Sequence, residues 1–531
     1  MPDAEMFVGI VTKAGGGSRL GFASILFTGE GGHAHDAAEG PAAEFYADLH
    51  LSEIIASVIA GSEEYDLAPF FRMPLGSVEE ITYRQEVLRE LEDEQLRSHI
   101  EAFAGGMRAM RVQLAQAQKL YYPYQKAIWF LRAVGTYCLC VRTFADALSG
   151  SEVRSRGMLA LKAYLSEYAN SDAFSALAAD AAQLQDALGS VEYRVQLRGS
   201  RVTVSEHEPA PDYSREIEET FAKFRQGGAK DYRVTFPDFP EANHVEAEVL
   251  DRVARLYPEL FAELTAYPER RRSYLDPTLA RFDREVQFYL GYLAFIRRLE
   301  AAGLPFCYPE VFADAKAVRA QGTFDLALAD SLVREGGMVV CNDFHLQGEE
   351  RIFVVSGPNQ GGKTTFARTF GQLHHLARLG LPVPGRQARL LLCDRIFTLF
   401  ARPEQVEDLR GRLQGELVRL HAILEAATSR SILIMNETFS STTLQDARFL
   451  GREMLQRVIR KDMLCVYVTF IDDLSRLGDA TVSMVSTADP QDPARRTYEI
   501  LRRSADGLAY AMAIARKHRL TYDMLQRRLA Q

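Results

Sequence analysis

Three features that would point to a secreted, metal-bound or membrane-spanning protein are missing from this sequence. Its six cysteines do not have the paired spacing of zinc ligands, which favours reduced core thiols in a cytoplasmic protein. The first residues lack the basic and apolar regions of a signal peptide. The most apolar stretch, residues 127–141, is about 15 residues long and contains Arg132, whereas a membrane helix needs ~20. We therefore expect a cytoplasmic protein without a membrane span.

An excess of basic residues is also missing. The 531 residues include 62 Lys and Arg against 71 Asp and Glu, which gives a formal net charge of -9. Any contact with nucleic acid must therefore come from a local basic face. The length is sufficient for more than one domain.

The most informative stretch is the glycine-rich segment at residues 356–365, which follows the apolar run at 352–355 and precedes a helical pattern. It matches the phosphate-binding pattern G-x-x-x-x-G-K-[ST] at every position. In that pattern the glycines let backbone N–H groups face a phosphate, Lys363 reaches the β and γ phosphates, and Thr364 offers a hydroxyl to Mg²⁺. The segment predicts a site for ATP and Mg²⁺, with these binding residues: Gly357, Pro358, Asn359, Gln360, Gly361, Gly362, Lys363, Thr364 and Thr365.

A second apolar run, at residues 431–435, is followed directly by Asn436 and Glu437. Glu437 is the natural residue to orient or deprotonate an attacking water. Asn436 occupies the position that normally supports Mg²⁺, where it offers an acceptor oxygen but no charge. We therefore predict Glu437, Lys363 and Asn436 as catalytic residues, with Thr364 and Asn436 at the metal.

Hydrophobic periodicity and composition divide the chain into five segments. Ser77 and Glu80 form a capping box in the helical part, and Asp276-Pro277 begins a long amphipathic helix. The predicted segments are a flexible extension (1–43), a helical core (44–188), a small β-containing insertion (189–240), returning lever helices (241–303) and an α/β ATPase domain (304–531). The short apolar runs in the last segment are typical of strands buried on both faces, and the strand candidates are 338–341, 352–355, 390–393, 432–435, 464–468 and 482–485.

The insertion shows a change of period. Alternation over residues 191–204, with a turn at 198–200, predicts a β-hairpin, and a third strand is predicted at 232–236. Basic residues here are mixed with nearly as many acids. This leaves two interpretations open, a solvated mixed-charge face or a nucleic-acid contact.

The loop is more specific than a general phosphate-binding loop because Pro358-Asn359 follows its first glycine. In this it resembles the DNA mismatch repair protein MutS family, a branch of the ABC-type ATPases. Other segments that match in order are 341–343, 394–398, 442–446 and 498–515. The resemblance implies an ABC-type ATPase domain that pairs as a homodimer. It also implies a clamp, at the place of the insertion, that holds duplex or branched DNA by its backbone in repair or recombination.

The sequence departs from the family pattern at several places. Asn436 replaces an acid and Phe470 replaces a histidine, so we expect ATP to be bound tightly and hydrolysed slowly. In the segment 409–414, Arg410 or Arg412 either supplies charge to the partner's γ phosphate or is a surface residue. No Phe-x-Glu wedge precedes residue 74, and the two such triplets, 239–241 and 261–263, lie too far downstream. We therefore expect no mismatch-reading domain.

Two functions from different classes remain after this reasoning. The first is an ATP-gated DNA clamp. The alternative is a nucleotide-gated regulatory or structural ATPase that acts on a protein partner without DNA, which the net charge of -9 and the mixed charges of the insertion leave open. The order of elements argues against a small-molecule kinase.

Overall fold

Helices dominate the chain up to residue 301, and strands alternate with helices after it. A computed structural model describes residues 22–28, 42–199, 201–207, 244–401, 411–489, 495–504, 520–522 and 526. The helices described there are α1 Ala42–Asp48, α2 Leu51–Ile59, α3 Ala68–Arg72, α4 Val78–Glu90, α5 Glu94–Lys119, α6 Pro123–Gly150, α7 Arg156–Ala169, α8 Asp172–Gly189, α9 His244–Leu256, α10 Pro258–Arg270, α11 Pro277–Ala301, α12 Leu326–Arg334, α13 Lys363–Arg378, α14 Arg412–Ala426 and α15 Leu444–Arg460.

The described strands are β1 Tyr193–Arg198, β2 Arg201–Glu206, β3 Phe306–Cys307, β4 Glu310–Phe312, β5 Val318–Thr323, β6 Asn342–Leu346, β7 Ile352–Ser356, β8 Val383–Pro384, β9 Gln387–Leu391, β10 Ile396–Phe400, β11 Ile432–Asn436, β12 Leu464–Val468, β13 Thr481–Ala488 and β14 Arg496–Arg502. The chain divides into two compact units. Among the described residues, the helical unit comprises Phe22, Glu94–Val153 and those within Leu159–Asp283, and the sheet unit comprises those within Ala23–Asp93, Arg154–Met158 and those from Arg284 onward.

The helical unit is built on an antiparallel hairpin of the two long helices α5 and α6. Phe103 of α5 stacks on Phe144 of α6 at a centroid distance of 4.7 Å, and both lie against Phe282. Within the described residues, α6 is the one helix long and apolar enough to cross a membrane by length and composition, and 50% of its most apolar window is buried. Its packing against α5, α8 and α10 suits a core helix.

The helical unit also carries the predicted β-hairpin, with β1 and β2 antiparallel in the register Val195 to Val204 and Arg198 to Arg201. The prediction of a hairpin is therefore confirmed. The predicted third strand, residues 232–236, lies outside the described residues. Of the two Phe-x-Glu triplets, the one at 261–263 lies within α10. Phe261 is buried against Tyr124 there, so it is not an exposed wedge.

The sheet unit contains a six-stranded sheet in the order β10-β11-β12-β7-β13-β14. The first five strands are parallel and β14 is antiparallel. Every residue of β7 and β12 is buried, which is the pattern of strands covered on both faces. A second sheet has the order β4-β9-β5-β6. The carboxyl ends of β7, β11 and β12 therefore meet at one edge of the large sheet.

Residues 23–28, near the start of the chain, belong to the sheet unit. Ile25 and Leu26 are fully buried, the Ile25 N–H donates to Glu285 Oε2 at 3.0 Å, and Arg84 Nε donates to the Leu26 carbonyl at 2.9 Å. The prediction of a flexible extension is therefore corrected for residues 22–28, because their apolar side chains find a core that lies far along the sequence. The rest of 1–41 lies outside the described residues.

Of the six predicted strands of the α/β segment, the structure contains four at the predicted places. Those at 352–355, 432–435, 464–468 and 482–485 are confirmed. The strand predicted at 338–341 is wrong, because Met338 is exposed without a paired strand and β6 begins only at Asn342. The strand predicted at 390–393 lies earlier, at 387–391. The predicted domain boundaries stay a prediction, and the two units group residues 23–93 with residues 284–531.

Candidate functional site

The glycine-rich loop connects β7 to α13 at the carboxyl edge of the large sheet. Its backbone is left-handed at Gly357, Gln360 and Gly362, with φ values of 116°, 58° and 89°. Pro358 is buried, whereas Asn359 and Gln360 are exposed. Carboxyl edges of parallel sheets are where α/β proteins bind ligands, and a helix that begins there adds the positive end of its dipole.

Two glycines of the loop lie against β13. A Cβ on Gly361 would lie 2.1 Å from Ser486 Oγ, and one on Gly357 would lie 2.8 Å from the Ser486 carbonyl oxygen. Ser486 is buried, and its hydroxyl donates to the Gly361 carbonyl at 2.7 Å. The loop therefore follows β13 so closely that neither glycine leaves room for a side chain.

Lys363 begins α13 and turns its amine back into the loop. Its Nζ donates to the carbonyls of Gly357 at 2.8 Å and Pro358 at 3.3 Å, and to Asn359 Oδ1 at 3.3 Å. Burial lowers the pKa of this amine, and the negative charge of Glu437 opposes that shift. A buried amine held among three oxygen acceptors is suited to exchange them for phosphate oxygens.

Thr364 and Asn436 meet although the strands that lead to them are separated by β12. Thr364 Oγ1 donates to Asn436 Oδ1 at 2.9 Å. Together they offer two neutral oxygens, of the hard type that Mg²⁺ accepts, where the pattern expects the ion beside the triphosphate. The donor set therefore fits Mg²⁺ with one negative charge fewer than an aspartate would supply.

Glu437 comes directly after Asn436, the last residue of β11, and its backbone is left-handed with a φ of 51°. Its N–H donates to the Val468 carbonyl at 2.9 Å, which ties the end of β11 to the end of β12, and its side chain is exposed. Phe470 follows β12 at the same edge with 53% of its surface exposed. Thr365 lies in the first turn of α13. The predicted site residues therefore converge on one edge of the sheet.

Arg412 lies at the first residue of α14 and contacts groups of its own chain. Its Nε lies 3.4 Å from Glu416 Oε1, and its terminal nitrogen donates to Ser440 Oγ at 3.3 Å. Glu416 also accepts from the Phe439 N–H at 2.8 Å. Arg412 thus connects α14 to the loop after Glu437. Arg410 lies outside the described residues.

Two residues that sequence reasoning did not assign to the site support the loop from other strands. Besides Ser486, Arg496 Nε donates to the Asn359 carbonyl at 3.1 Å. Asn342 of β6 instead holds β14, since it donates to the Tyr498 carbonyl at 3.2 Å and accepts from the Ile500 N–H at 2.7 Å. A resemblance marked Asn342 and Tyr498, but no local pattern identifies Ser486 or Arg496.

The opposite face of α13 is held by a buried carboxylate. Asp325 caps α12 by accepting from the Leu328 N–H at 3.0 Å, and it pairs with Arg368 Nε at 2.7 Å. Gln372 donates to Asp325 at 3.2 Å and to the Leu49 carbonyl at 2.9 Å. These bonds fix the helix that carries Lys363 and Thr364 against residues from two other parts of the sheet unit.

Comparisons with known proteins agree with this geometry. The family model for MutS domain V matches residues 353–527, which include the loop and both strand ends. The endonuclease MutS2 of Gemmatimonas aurantiaca is 28% identical over 267 residues, 50% of this chain and 32% of that protein. The MutS2 of Thermus thermophilus is 30% identical over 190 residues, 35% of this chain and 25% of its own length.

The DNA mismatch repair protein MutS of Zymomonas mobilis is 30% identical over 203 residues, 37% of this chain and 23% of that protein. The chain thus matches between about a quarter and a third of the length of these relatives. The domain match covers the site described above. Residues 353–527 therefore form a domain of the MutS family.

Proposed function

We propose that this chain is an ABC-type ATPase that binds DNA in an ATP-dependent manner. Two chains would pair through their ATPase domains into a clamp on duplex or branched DNA. The observation that carries this proposal is the contact of 2.9 Å between Thr364 Oγ1 and Asn436 Oδ1, next to the Lys363 amine and Glu437. This contact supports the proposal because it brings the residue after Lys363 beside the strand end that carries Asn436 and Glu437, and triphosphate chemistry needs a phosphate cradle, a metal position and a carboxylate close together.

Each residue has a distinct role in this proposal. The loop N–H groups and the Lys363 amine hold the β and γ phosphates. Mg²⁺, when bound, supplies positive charge to the phosphate oxygens. Thr364 and Asn436 provide oxygens at that position, and Glu437 orients or deprotonates the attacking water. Because Glu437 is exposed in one chain, a second chain would help to exclude bulk water from the reaction.

Hydrolysis is proposed to be slow. Asn436 lacks the negative charge that would support Mg²⁺, and Phe470 offers no hydrogen-bonding group at the end of β12. Both changes leave the phosphate contacts of Lys363 intact, because its amine is held by the loop carbonyls. ATP binding, rather than bond cleavage, would then drive the change in DNA affinity.

The proposed DNA contact includes the polar face of the β-hairpin. Strand alternation puts Arg194 and Arg198 on one face of β1, and Arg198 lies directly opposite Arg201 in the register. Like charges in opposite positions destabilise a strand pair. A phosphate between the two guanidinium groups would relieve that repulsion, so backbone contact without base reading is expected. A cytoplasmic role in DNA repair or recombination follows from this proposal.

Filter binding with purified full-length chain tests the proposal. DNA retention should rise with ATP, fall steeply with salt, and lose its response to ATP in Lys363→Ala. The double variant Arg198→Gln/Arg201→Gln should reduce the slope of log affinity against log salt by roughly 0.9 for each hairpin on the DNA, since the two arginines share one phosphate and each phosphate contact contributes about 0.9. The matched control is Arg252→Gln/Arg255→Gln on α9, where each arginine pairs with an acid one turn away. The control should leave the slope unchanged.

The alternative function is a nucleotide-gated regulatory or structural ATPase that acts on a protein partner. The net charge of -9 favours it, because a negative body repels DNA outside a local basic face. ATP binding that depends on Lys363, without retention of linear, mismatched or branched DNA, would select this alternative.

A further inference from the structure

The turn between α5 and α6 presents an exposed tyrosine between two lysines. Tyr121 is 85% exposed and meets the Tyr122 ring edge-on at 5.4 Å. Lys119 ends α5 and Lys126 lies in the first turn of α6, and both are exposed. Lys119, Tyr121, Tyr122 and Lys126 are called the tyrosine tip here.

The tyrosine tip is held in position by buried neighbours. Leu120 is buried within the turn, and Tyr124 packs edge-on against Phe261 of α10 at 5.1 Å. Pro123 begins α6 and fixes the backbone there. Since these contacts are satisfied without Tyr121, its ring is presented to solvent at little cost in conformational entropy on binding.

The helices behind the tip form the most one-sided charged stretch of an otherwise acidic chain. From Ala102 to Ala145 the sequence contains no Asp or Glu, whereas it contains six basic residues: Arg108, Arg111, Lys119, Lys126, Arg132 and Arg142. Arg111 pairs with Asp283. Lys119, Lys126, Arg132 and Arg142 are exposed, and Glu259 and Glu263 of α10 are the acids next to Phe261. An anionic partner is therefore expected on the α5–α6 side of the tip.

The tip and the β-hairpin lie at the same end of the helical unit. Tyr257, immediately before α10, donates its hydroxyl to the Glu192 carbonyl at 2.7 Å, at the base of the hairpin. One turn later, Phe261 of the same helix contacts Tyr124 at the tip. A nucleic acid held by the hairpin would thus extend near the tyrosine tip.

We propose that Tyr121 stacks on an unpaired base while Lys119 and Lys126 contact the adjacent phosphates. Exposed aromatic rings bordered by cations are the means by which proteins bind single strands without reading sequence. The chain would then bind a duplex that carries a single-stranded tail or branch more tightly than a continuous duplex. This inference rests on the proposed DNA binding and specifies which DNA is preferred.

Fluorescence anisotropy tests it with the full chain, ATP, a labelled linear duplex and the same duplex bearing a single-stranded tail. Tyr121→Ala should weaken binding to the tailed duplex on the order of tenfold, the effect expected of one lost stacking contact, with little change on the linear duplex. Tyr121→Phe keeps the ring and should bind as the parent does. Phe449→Ala removes an aromatic residue that is 64% exposed in the sheet unit, and should change neither affinity.

The fluorescence of a tryptophan near the tyrosine tip provides a second measurement. Trp129 is the chain's only tryptophan, and it lies on α6 about 9 Å along the axis from Pro123 at 1.5 Å per residue. Its emission should respond to the tailed duplex in the parent and much less in Tyr121→Ala. Retained far-ultraviolet circular dichroism and ATP binding would show that the variant is folded.

The outcomes separate this inference from the proposed function. Equal losses on both duplexes, or no loss in Tyr121→Ala while DNA binding persists, would overturn the stacking role alone. Loss of binding to anionic phospholipid vesicles, instead of tailed DNA, would assign the tip to a membrane surface and also overturn it. Failure of the parent chain to bind any DNA would remove the proposed function together with the inference.

Discussion

Gly361→Ala tests whether the loop is held by β13 as the geometry indicates. The added Cβ would lie 2.1 Å from Ser486 Oγ and 3.0 Å from the Pro358 carbonyl oxygen. The first distance is far below van der Waals contact, so either the loop or Ser486 must move. The hydrogen bond of 2.7 Å from Ser486 to the Gly361 carbonyl would be broken or distorted.

The expected magnitude follows from these two effects. Overpacking at a closely packed position costs about 1–3 kcal/mol. If the strain is relieved by displacing the loop, the same free energy is lost from ATP binding, which corresponds to a roughly 5- to 150-fold increase in Kd. Ser486→Ala alone removes only the hydrogen bond, worth about 1 kcal/mol.

Titration with a fluorescent ATP analogue measures this effect, and the double variant sharpens the result. Gly361→Ala/Ser486→Ala removes the hydroxyl that the new methyl group would strike, so it should bind ATP better than Gly361→Ala alone. Gly105→Ala is the matched control, because a Cβ there meets nothing within 4 Å. It should leave ATP affinity unchanged.

Two results would refute the reasoning. If Gly361→Ala binds the analogue with the parent's affinity, the loop does not need the close approach to β13. If the double variant binds more weakly than Gly361→Ala, the clash with the Ser486 hydroxyl is not the cause of the loss.

Three further predictions concern the same unit. Asn436→Asp should raise the rate of ATP hydrolysis by at least about tenfold, or ~1.4 kcal/mol of barrier, measured by phosphate release. Asp325→Ala should destabilise α13 by about 1.5–3 kcal/mol, because Arg368 loses its carboxylate partner and keeps only the contact with His50, and amide exchange should detect it. Burial lowers the pKa of His374 to about 4 and that of His375 to about 3, so both are neutral in the folded chain. Their contribution to stability is complete above pH about 6.5, and in urea titrations it should fall by about 1.4 kcal/mol per pH unit per histidine as the pH drops toward 4.

Each of these predictions has a control and a result that would count against it. Hydrolysis that is equally slow in Asn436→Asp would mean that the missing charge does not limit turnover. Asp325→Asn keeps an acceptor for the Leu328 N–H and should lose less protection than Asp325→Ala. A His374→Gln/His375→Gln variant should show a weaker dependence of stability on acid pH, and an unchanged dependence would assign the effect to other groups.

Much of the fold could be predicted because it depends on local patterns. The capping box at Ser77 and Glu80, the helix that begins at Pro277, and four of the six strands follow from periodicity and end signals. The strand at 338–341 was wrong because a short apolar run does not reveal whether a neighbouring strand exists. Strand β10 is not among the strands that the apolar runs predict, although part of its sequence lies in the segment 394–398 that resembles the family.

The candidate site likewise contains residues that the sequence predicts and residues that only the packing of strands brings there. Lys363, Thr364, Asn436 and Glu437 were predicted, since the chemistry of phosphate binding imposes residue types and spacing on a contiguous stretch. Ser486 was not, because its contact with Gly361 depends on the register of β13 beside β7. No spacing rule connects residues that lie 125 positions apart.

By itself, the sequence predicted the glycine-rich loop, the strand end that carries Asn436 and Glu437, and the resemblance to the MutS family, because each depends on neighbouring residues. Only the tertiary structure decided which distant groups support them. It brought Ser486 and Arg496 to the loop, Asp325 to the helix behind it, and Tyr121 to the same end of the helical unit as the β-hairpin. The physical reason is that such contacts arise from the packing of whole elements, whose register and orientation depend on the complete core rather than on any one segment.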